Sequence, residues 1–264
     1  MIPLKTRLSL LLLLGLDGAA ALGAPLRFVG AEFPFILEYR EGKPAGLAVS
    51  VIRDIAEHTG LDYTISIVPW ARAQALVESG RADVLIGPYR TKEREARMTF
   101  MRWPLYIDTL SWYALKESRY TWSGKFSELG HLRLGVTRAW TLGQSYEASK
   151  RRLQIETADT MEQNFGKLAL GRLDLVACNE RTARFLVKRM QPRLEIQALK
   201  PPISHIGGYF AHPRAPVDAD SLARFETALG ELARSGRLQA LSRLEGLDYP
   251  GPRTKWAEYL AGLS

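Results

Sequence analysis

The chain has 264 residues, 46% of them apolar and 24% charged, an ordinary globular balance that supports one large or two small domains. Its formal charge is +8, yet Lys and Arg are interleaved with acids, as in Arg53-Asp54 and Lys92-Glu93-Arg94-Glu95, and no basic–aromatic cluster forms. That pattern reads as a solvated basic surface and argues against nucleic acid as a partner, and the single cysteine, Cys178, excludes an internal disulfide.

Lys5 and Arg7 precede a leucine-rich block over 8–16, and small residues follow from Ala19 to Ala24. This order predicts a secretory signal peptide over residues 1–24, its apolar core too short for a permanent membrane helix. No later segment carries a long uncharged apolar run, and no lipid-anchor cysteine lies near the cleavage region. The expectation is a soluble periplasmic protein.

The mature chain opens with a short strand, Leu26 to Gly30, and a loop through Glu32-Phe33-Pro34-Phe35. Between Gly46 and Gly60, Ala48, Val51, Ile52, Ile55 and Ala56 fall on one helical face, with Gly60 as the stop. Tyr63 to Val68 alternates as a strand, Pro69 breaks it, and Trp70 starts a helix that runs to Ser79. Ala82 to Ile86 is the next strand. The order β-α-β-α-β predicts parallel strands with helices on the sheet faces.

Gly87 and Pro88 end that third strand, and Thr91 is placed to cap the following turn. Glu93 and Glu95 suit the positive end of a helix dipole; Arg94 does not. A strand end, a glycine turn and a misplaced arginine together suggest an anion site. The plainer reading is a surface arginine on an ordinary loop.

Pro104 to Leu115 reads as extended and a second α/β block follows. Its strands are Leu132–Thr137, Leu153–Thr157, Leu173–Ala177 and Leu194–Leu199; its helices are Thr141–Arg151, Met161–Leu170 and Arg181–Met190. Ile206 to Ala211 is a further extended run. Gly80-Arg81-Ala82-Asp83 recurs as Gly171-Arg172-Leu173-Asp174, each after a helix and at the opening of a strand, which suggests two lobes of similar construction. The tail carries two amphipathic helices around Ser235-Gly236 and a short one near Trp256.

Pro34-Phe35, Gly46, Gly-Arg-Ala-Asp before the third strand, Thr91-x-x-Arg94, Phe100 and Pro104-Leu105-Tyr106 together resemble the periplasmic solute-binding proteins of the polar amino-acid type. The resemblance covers nearly all of the mature chain. It implies an α/β, two-lobed type II periplasmic-binding fold with two hinge strands and a ligand cleft. The expected lobes are residues 25–114 with 209–264, and residues 115–208, with crossings at Tyr113–Lys116 and Gly208–His212.

The resemblance also implies roles. Arg94 takes the place of the arginine that grips a ligand carboxylate, and Gly87 and Tyr89 line the same pocket. Trp70 takes the place of an apolar wall, though a helix-start residue packed on the core is the plainer reading. Trp140 and Thr141 fall in a second-lobe loop and helix start that closes over the ligand. Asn179 stands where an acid meets an α-ammonium, and Glu32 where a first-loop aromatic stacks on the ligand. The four histidines lack metal-ligand spacing, and no catalytic residue, metal or cofactor is expected.

The function so implied is periplasmic binding of a small carboxylate-bearing solute, an amino acid or related compound, by a monomer that delivers it to an ABC importer. Two alternatives remain open: a periplasmic cyclohexadienyl-acid dehydratase-like enzyme, in which Glu32 acts as acid or base, and a partner that presents ligand to a membrane sensor.

Overall fold

The computed structural model describes residues 24–138, 140–190 and 194–263. The leader expected over 1–24 lies, but for Ala24, outside the described residues. Strand β1 (Leu26–Gly30) is buried except at Arg27. A hairpin that the sequence reading did not anticipate follows, β2 (Glu38–Arg40) and β3 (Lys43–Ala45). Its turn, Glu41-Gly42, takes positive φ at both residues, the twist that suits a two-residue hairpin. A glutamate in the first of those positions hides the signal.

Helix α1 (Leu47–Thr59) buries Leu47, Ala48, Val51, Ile52 and Ile55, and ends on Gly60 in the left-handed region. Then come β4 (Tyr63–Ile67), α2 (Trp70–Glu78), β5 (Val84–Tyr89) and the one-turn α3 (Lys92–Glu95). Strand β6 (Met98–Leu115) is longer than expected and runs straight through Pro104, which sits at a register irregularity where a ladder N–H is dispensable. The second block holds β7 (Arg133–Thr137), α4 (Gln144–Ser149), β8 (Gln154–Ala158), α5 (Met161–Ala169), β9 (Leu175–Asn179), α6 (Glu180–Arg189) and β10 (Ile196–Ala198). Strand β11 (Ser204–Pro213) leads to α7 (Ala219–Ser235), α8 (Arg237–Leu244) and α9 (Trp256–Ala261).

The strands lie in the order β4-β1-β5-β11-β6-β9-β7-β8, with β10 also on β6. β4, β1 and β5 are parallel, as are β9, β7 and β8; β11 and β6 run antiparallel between these two sets. Each parallel set is covered on both faces, as parallel strands require. In the first lobe Phe28, Ile52, Leu105, Phe210 and Phe225 share one core, and Val29, Ala73, Leu85 and Ala211 another. In the second, Leu110, Trp112, Leu134 and Ile206 pack together, and Phe165, Val176, Cys178 and Leu186 pack on the opposite face.

Packing on β6 passes from the first lobe to the second between Ile107 and Leu110, and on β11 between Phe210 and Ile206. The passage therefore lies nearer Thr109 than the boundary expected at residue 114. Hydrophobicity alone does not say which core a strand residue serves. Gly208 is required at this crossing: a Cβ there would lie 2.1 Å from the Tyr106 ring.

The repeated Gly-Arg-x-Asp has one structural reason in both lobes. Asp83 accepts hydrogen bonds from the backbone N–H and guanidinium of Arg27 on β1. Asp174 accepts the equivalent set from Arg133 on β7. Each aspartate pins the start of one parallel strand to its neighbour.

Candidate functional site

The site forms at the carboxyl ends of β1, β4 and β5, the edge where open α/β sheets bind ligands. Pro69 holds an extended conformation after β4, so α2 begins on Trp70 and its partly buried ring stays at that edge. The loop after β1 closes on itself through Phe33 and Leu37, with Phe35 at φ 66°. This turns Phe33 onto Trp70, ring centroids 5.6 Å apart. Glu32, which the resemblance put against the ligand, is exposed, and its neighbour Phe33 supplies the aromatic face.

Gly87 interrupts β5 at φ 85°, and its carbonyl accepts the Tyr106 hydroxyl at 2.8 Å. A Cβ at Gly87 would lie 3.3 Å from that hydroxyl and 3.5 Å from the Phe33 ring, so the two aromatics converge over a bare backbone. Thr91 caps α3 by accepting the Arg94 N–H at 3.2 Å. The Arg94 side chain folds back, donates to the Tyr89 carbonyl at 3.0 Å, and sets its Cζ 5.6 Å from the centre of the Trp70 ring. Burial lowers its pKa, with the nearby Glu93 charge working the other way. Among the described residues no carboxylate forms a salt bridge with Arg94: its neighbours Glu93 and Glu95 pair with Arg97 and Arg90 instead.

A second charged group lies beside this one. Tyr89 donates its hydroxyl to Asp108 Oδ2 at 2.5 Å. Burial, then Asp108, raises the Tyr89 pKa well above its ordinary value. Asp108 also accepts Arg181 Nη2 at 2.8 Å and Nε at 3.1 Å, with both residues buried. Burial works to lower the Arg181 pKa, and Asp108 more than reverses it. Arg181 Nη1 then donates to the Pro34 carbonyl at 3.0 Å, so this second-lobe guanidinium reaches the first-lobe loop. The contact continues along α6. Phe185 meets Phe35 edge-on at 6.1 Å, Arg184 lies over Phe35 at 5.2 Å, and Arg184 Nη2 donates to the Gly246 carbonyl at 2.8 Å.

The structure brings Arg94, Trp70, Gly87 and Tyr89 together and treats the second-lobe candidates differently. Asn179 is buried and caps α6, its Oδ1 accepting the Thr182 N–H at 2.7 Å. Trp140 is partly buried and packs against the second lobe's own core. Thr141 does not begin a helix: α4 starts three residues later, after Gly143 at φ 97°, and the Thr141 hydroxyl accepts the Gly143 N–H at 3.4 Å. Phe33, Tyr106, Asp108 and Arg181 were missed by sequence reasoning. Asp108 had one signal, being the lone acid in the apolar run Pro104–Leu115.

Residues 28–244 match the bacterial extracellular solute-binding proteins, family 3. The chain is 24% identical over 222 residues to the L-cystine-binding protein TcyJ of Escherichia coli strain K12, covering 81% of this chain and 78% of that one. Among solved structures it resembles a histidine kinase sensor domain similar to periplasmic binding proteins, with TM-score 0.70 at 22% identity over 86% of this chain and 98% of the other. It also resembles the arginine-, lysine-, histidine-binding protein ArtJ of Geobacillus stearothermophilus, with TM-score 0.68 at 20% identity over 90% and 100%. Among the described residues no helix is long and apolar enough to cross a membrane.

Proposed function

This chain belongs to the bacterial extracellular solute-binding proteins, family 3, and we propose that it binds a small carboxylate-bearing solute in the cleft between its lobes, for delivery to the membrane subunits of an ABC importer. The observation that carries this reading is Arg94. It is a half-buried guanidinium with no carboxylate partner among the described residues, held against Trp70 at a strand-end edge. A fork of N–H donors in that position matches a carboxylate, which can accept two parallel bonds. Trp70 and Phe33 would take the apolar part of the ligand. The named ligands of the relatives, cystine in one and arginine, lysine and histidine in another, all carry a carboxylate, which supports the same chemistry here.

The lobes close about β6 and β11 where packing changes from one core to the other, near Thr109 and Gly207. The protein acts as an exported monomer, its leader removed, and binds without catalysis. A sensor-coupled output is the second reading, since a histidine kinase sensor domain shares the fold. A thermal-shift screen of small carboxylates, amino acids and their decarboxylated amines tests the proposal, because a ligand that binds only the folded state raises its stability. Carboxylates are expected to raise the Tm and the amines to leave it unchanged. A rise with amines alone would refute the assignment.

A further inference from the structure

The basic excess of the folded chain is confined to one lobe. Residues 109–208 hold 16 Lys and Arg against 9 Asp and Glu, whereas residues 25–108 with 209–264 hold 18 basic and 18 acidic residues. Within the second lobe, cations gather at the amino ends of the parallel strands, the pole opposite the cleft edge. Arg133 opens β7 in register with Gln154 on β8, and Leu134 is in register with Leu175 on β9. Arg151 and Arg152 lie just before β8 and Arg172 just before β9, all three exposed. Among the described residues none of the three forms an ion pair, and acids around them are engaged: Asp174 by Arg133, Glu147 by Lys150 and Glu156 by Lys167. Helix α5 returns to the same pole and ends on Leu170, which is 69% exposed. The Arg172 N–H donates to the Lys167 carbonyl at 2.9 Å and so folds Arg172 against the end of that helix.

We propose that this pole docks on an anionic membrane surface, with Arg151, Arg152 and Arg172 against lipid phosphates and Leu170 entering the boundary between headgroups and acyl chains. An exposed apolar side chain beside unpaired cations suits such an interface, where buried apolar area and attraction to anionic lipid add. The uncharged balance of the first lobe leaves it no comparable attraction, so the molecule meets the surface by one end. A soluble acidic polymer would meet the same cations and leave the leucine in water, which separates the two kinds of partner. Pole and cleft lie at opposite ends of the strands, so docking is independent of what the cleft holds.

Vesicle flotation with the purified chain tests this, using equal parts phosphatidylglycerol and phosphatidylcholine, phosphatidylcholine alone, and polyglutamate as a soluble polyanion. The chain should float with the anionic vesicles and not with the neutral ones. Binding should fall at least about tenfold as salt rises from about 0.05 M to about 0.5 M. Each basic residue near an anionic bilayer strengthens binding about fivefold, so Arg151→Gln, Arg152→Gln and Arg172→Gln together should weaken it at least about twentyfold. Removing the same charge from the first lobe, with Arg53→Gln, Arg243→Gln and Arg253→Gln, should change it by less than about threefold. Leu170→Ser should weaken it about fivefold, and polyglutamate at matched charge should bind at least about tenfold more weakly than the vesicles. No binding to anionic vesicles, wild-type binding by the pole variant, or an equal loss in the first-lobe variant would overturn the proposal. Polyglutamate binding as tight as the vesicles', or full binding by Leu170→Ser, would overturn the lipid assignment in favour of an acidic protein partner.

Discussion

Among the described arginines in the first turn of an α-helix, where the dipole disfavours a cation, Arg72 and Arg237 are exposed, whereas Arg94 on α3 and Arg181 on α6 are partly or fully buried. Arg181 has its anion inside the chain, the buried carboxylate of Asp108. Arg94 has none among the described residues, and this difference is what the proposed carboxylate contact rests on. In sequence Asp108 lies inside the run Pro104–Leu115, which reads as extended, and nothing local marks it as the partner of Arg181. The Arg133–Asp174 pair gives a separate test at this scale. The hydrogen bond from Arg133, opposed by burial, holds the Asp174 pKa at about 2. An unfolded aspartate titrates near 4, so as pH falls the unfolded chain takes up the proton first. The contribution is complete above about pH 4 and is lost as pH drops towards 2. Discounted because Arg133 is nearly half exposed, it is worth about 1–2 kcal/mol. Urea unfolding of Asp174→Asn should show that loss at pH 7 and a flatter acid limb than wild type; unchanged midpoints at pH 7 and pH 3 would refute the role.

Elements with strong local signals were legible in the sequence. The α1 face and its Gly60 stop, the helix start on Trp70 and the Thr91 cap all appear as read. What was not legible depends on contacts between distant segments. Which first-loop residue faces Trp70 is set by the Phe33–Leu37 closure and the positive φ of Phe35, and this gives Phe33 the place expected for Glu32. Asn179 was read as a ligand contact, although its place before Glu180-Arg181-Thr182 also suits an N-cap, the role it has. Helix α6 carries a further consequence. Its Arg181, Arg184 and Phe185 reach Pro34, Phe35 and Gly246 of the first lobe, so the protein's own side chains favour closure. An edge-to-face aromatic pair contributes about 0.5–1.5 kcal/mol beyond its buried area. Phe185→Ala should therefore raise the radius of gyration of the ligand-free protein in small-angle scattering. It should also weaken ligand binding by about fivefold, as expected when the binding-competent population falls by that factor. Unchanged scattering and unchanged affinity would remove α6 from the closing mechanism.

At the scale of the whole molecule, two parallel α/β blocks share one sheet through β6 and β11, and each block keeps its own core. The Gly-Arg-x-Asp echo made the two-lobe plan readable, because the same aspartate performs the same strand-pinning task in each lobe. The exact place where β6 changes cores was not readable, since both cores ask for apolar residues. Closure of such a clamp buries whatever lies between the lobes, and in the function proposed here a ligand carboxylate would meet Arg94 beside Trp70 and Phe33. The most direct test is titration calorimetry of a carboxylate ligand from the screen into wild type and Arg94→Ala. Loss of a buried, hydrogen-bonded charge pair should cost about 2–5 kcal/mol of binding. The variant should lose little thermal stability, because among the described residues Arg94 forms no salt bridge and gives up only its hydrogen bond to the Tyr89 carbonyl and its contact with Trp70. Wild-type affinity in Arg94→Ala would contradict the account.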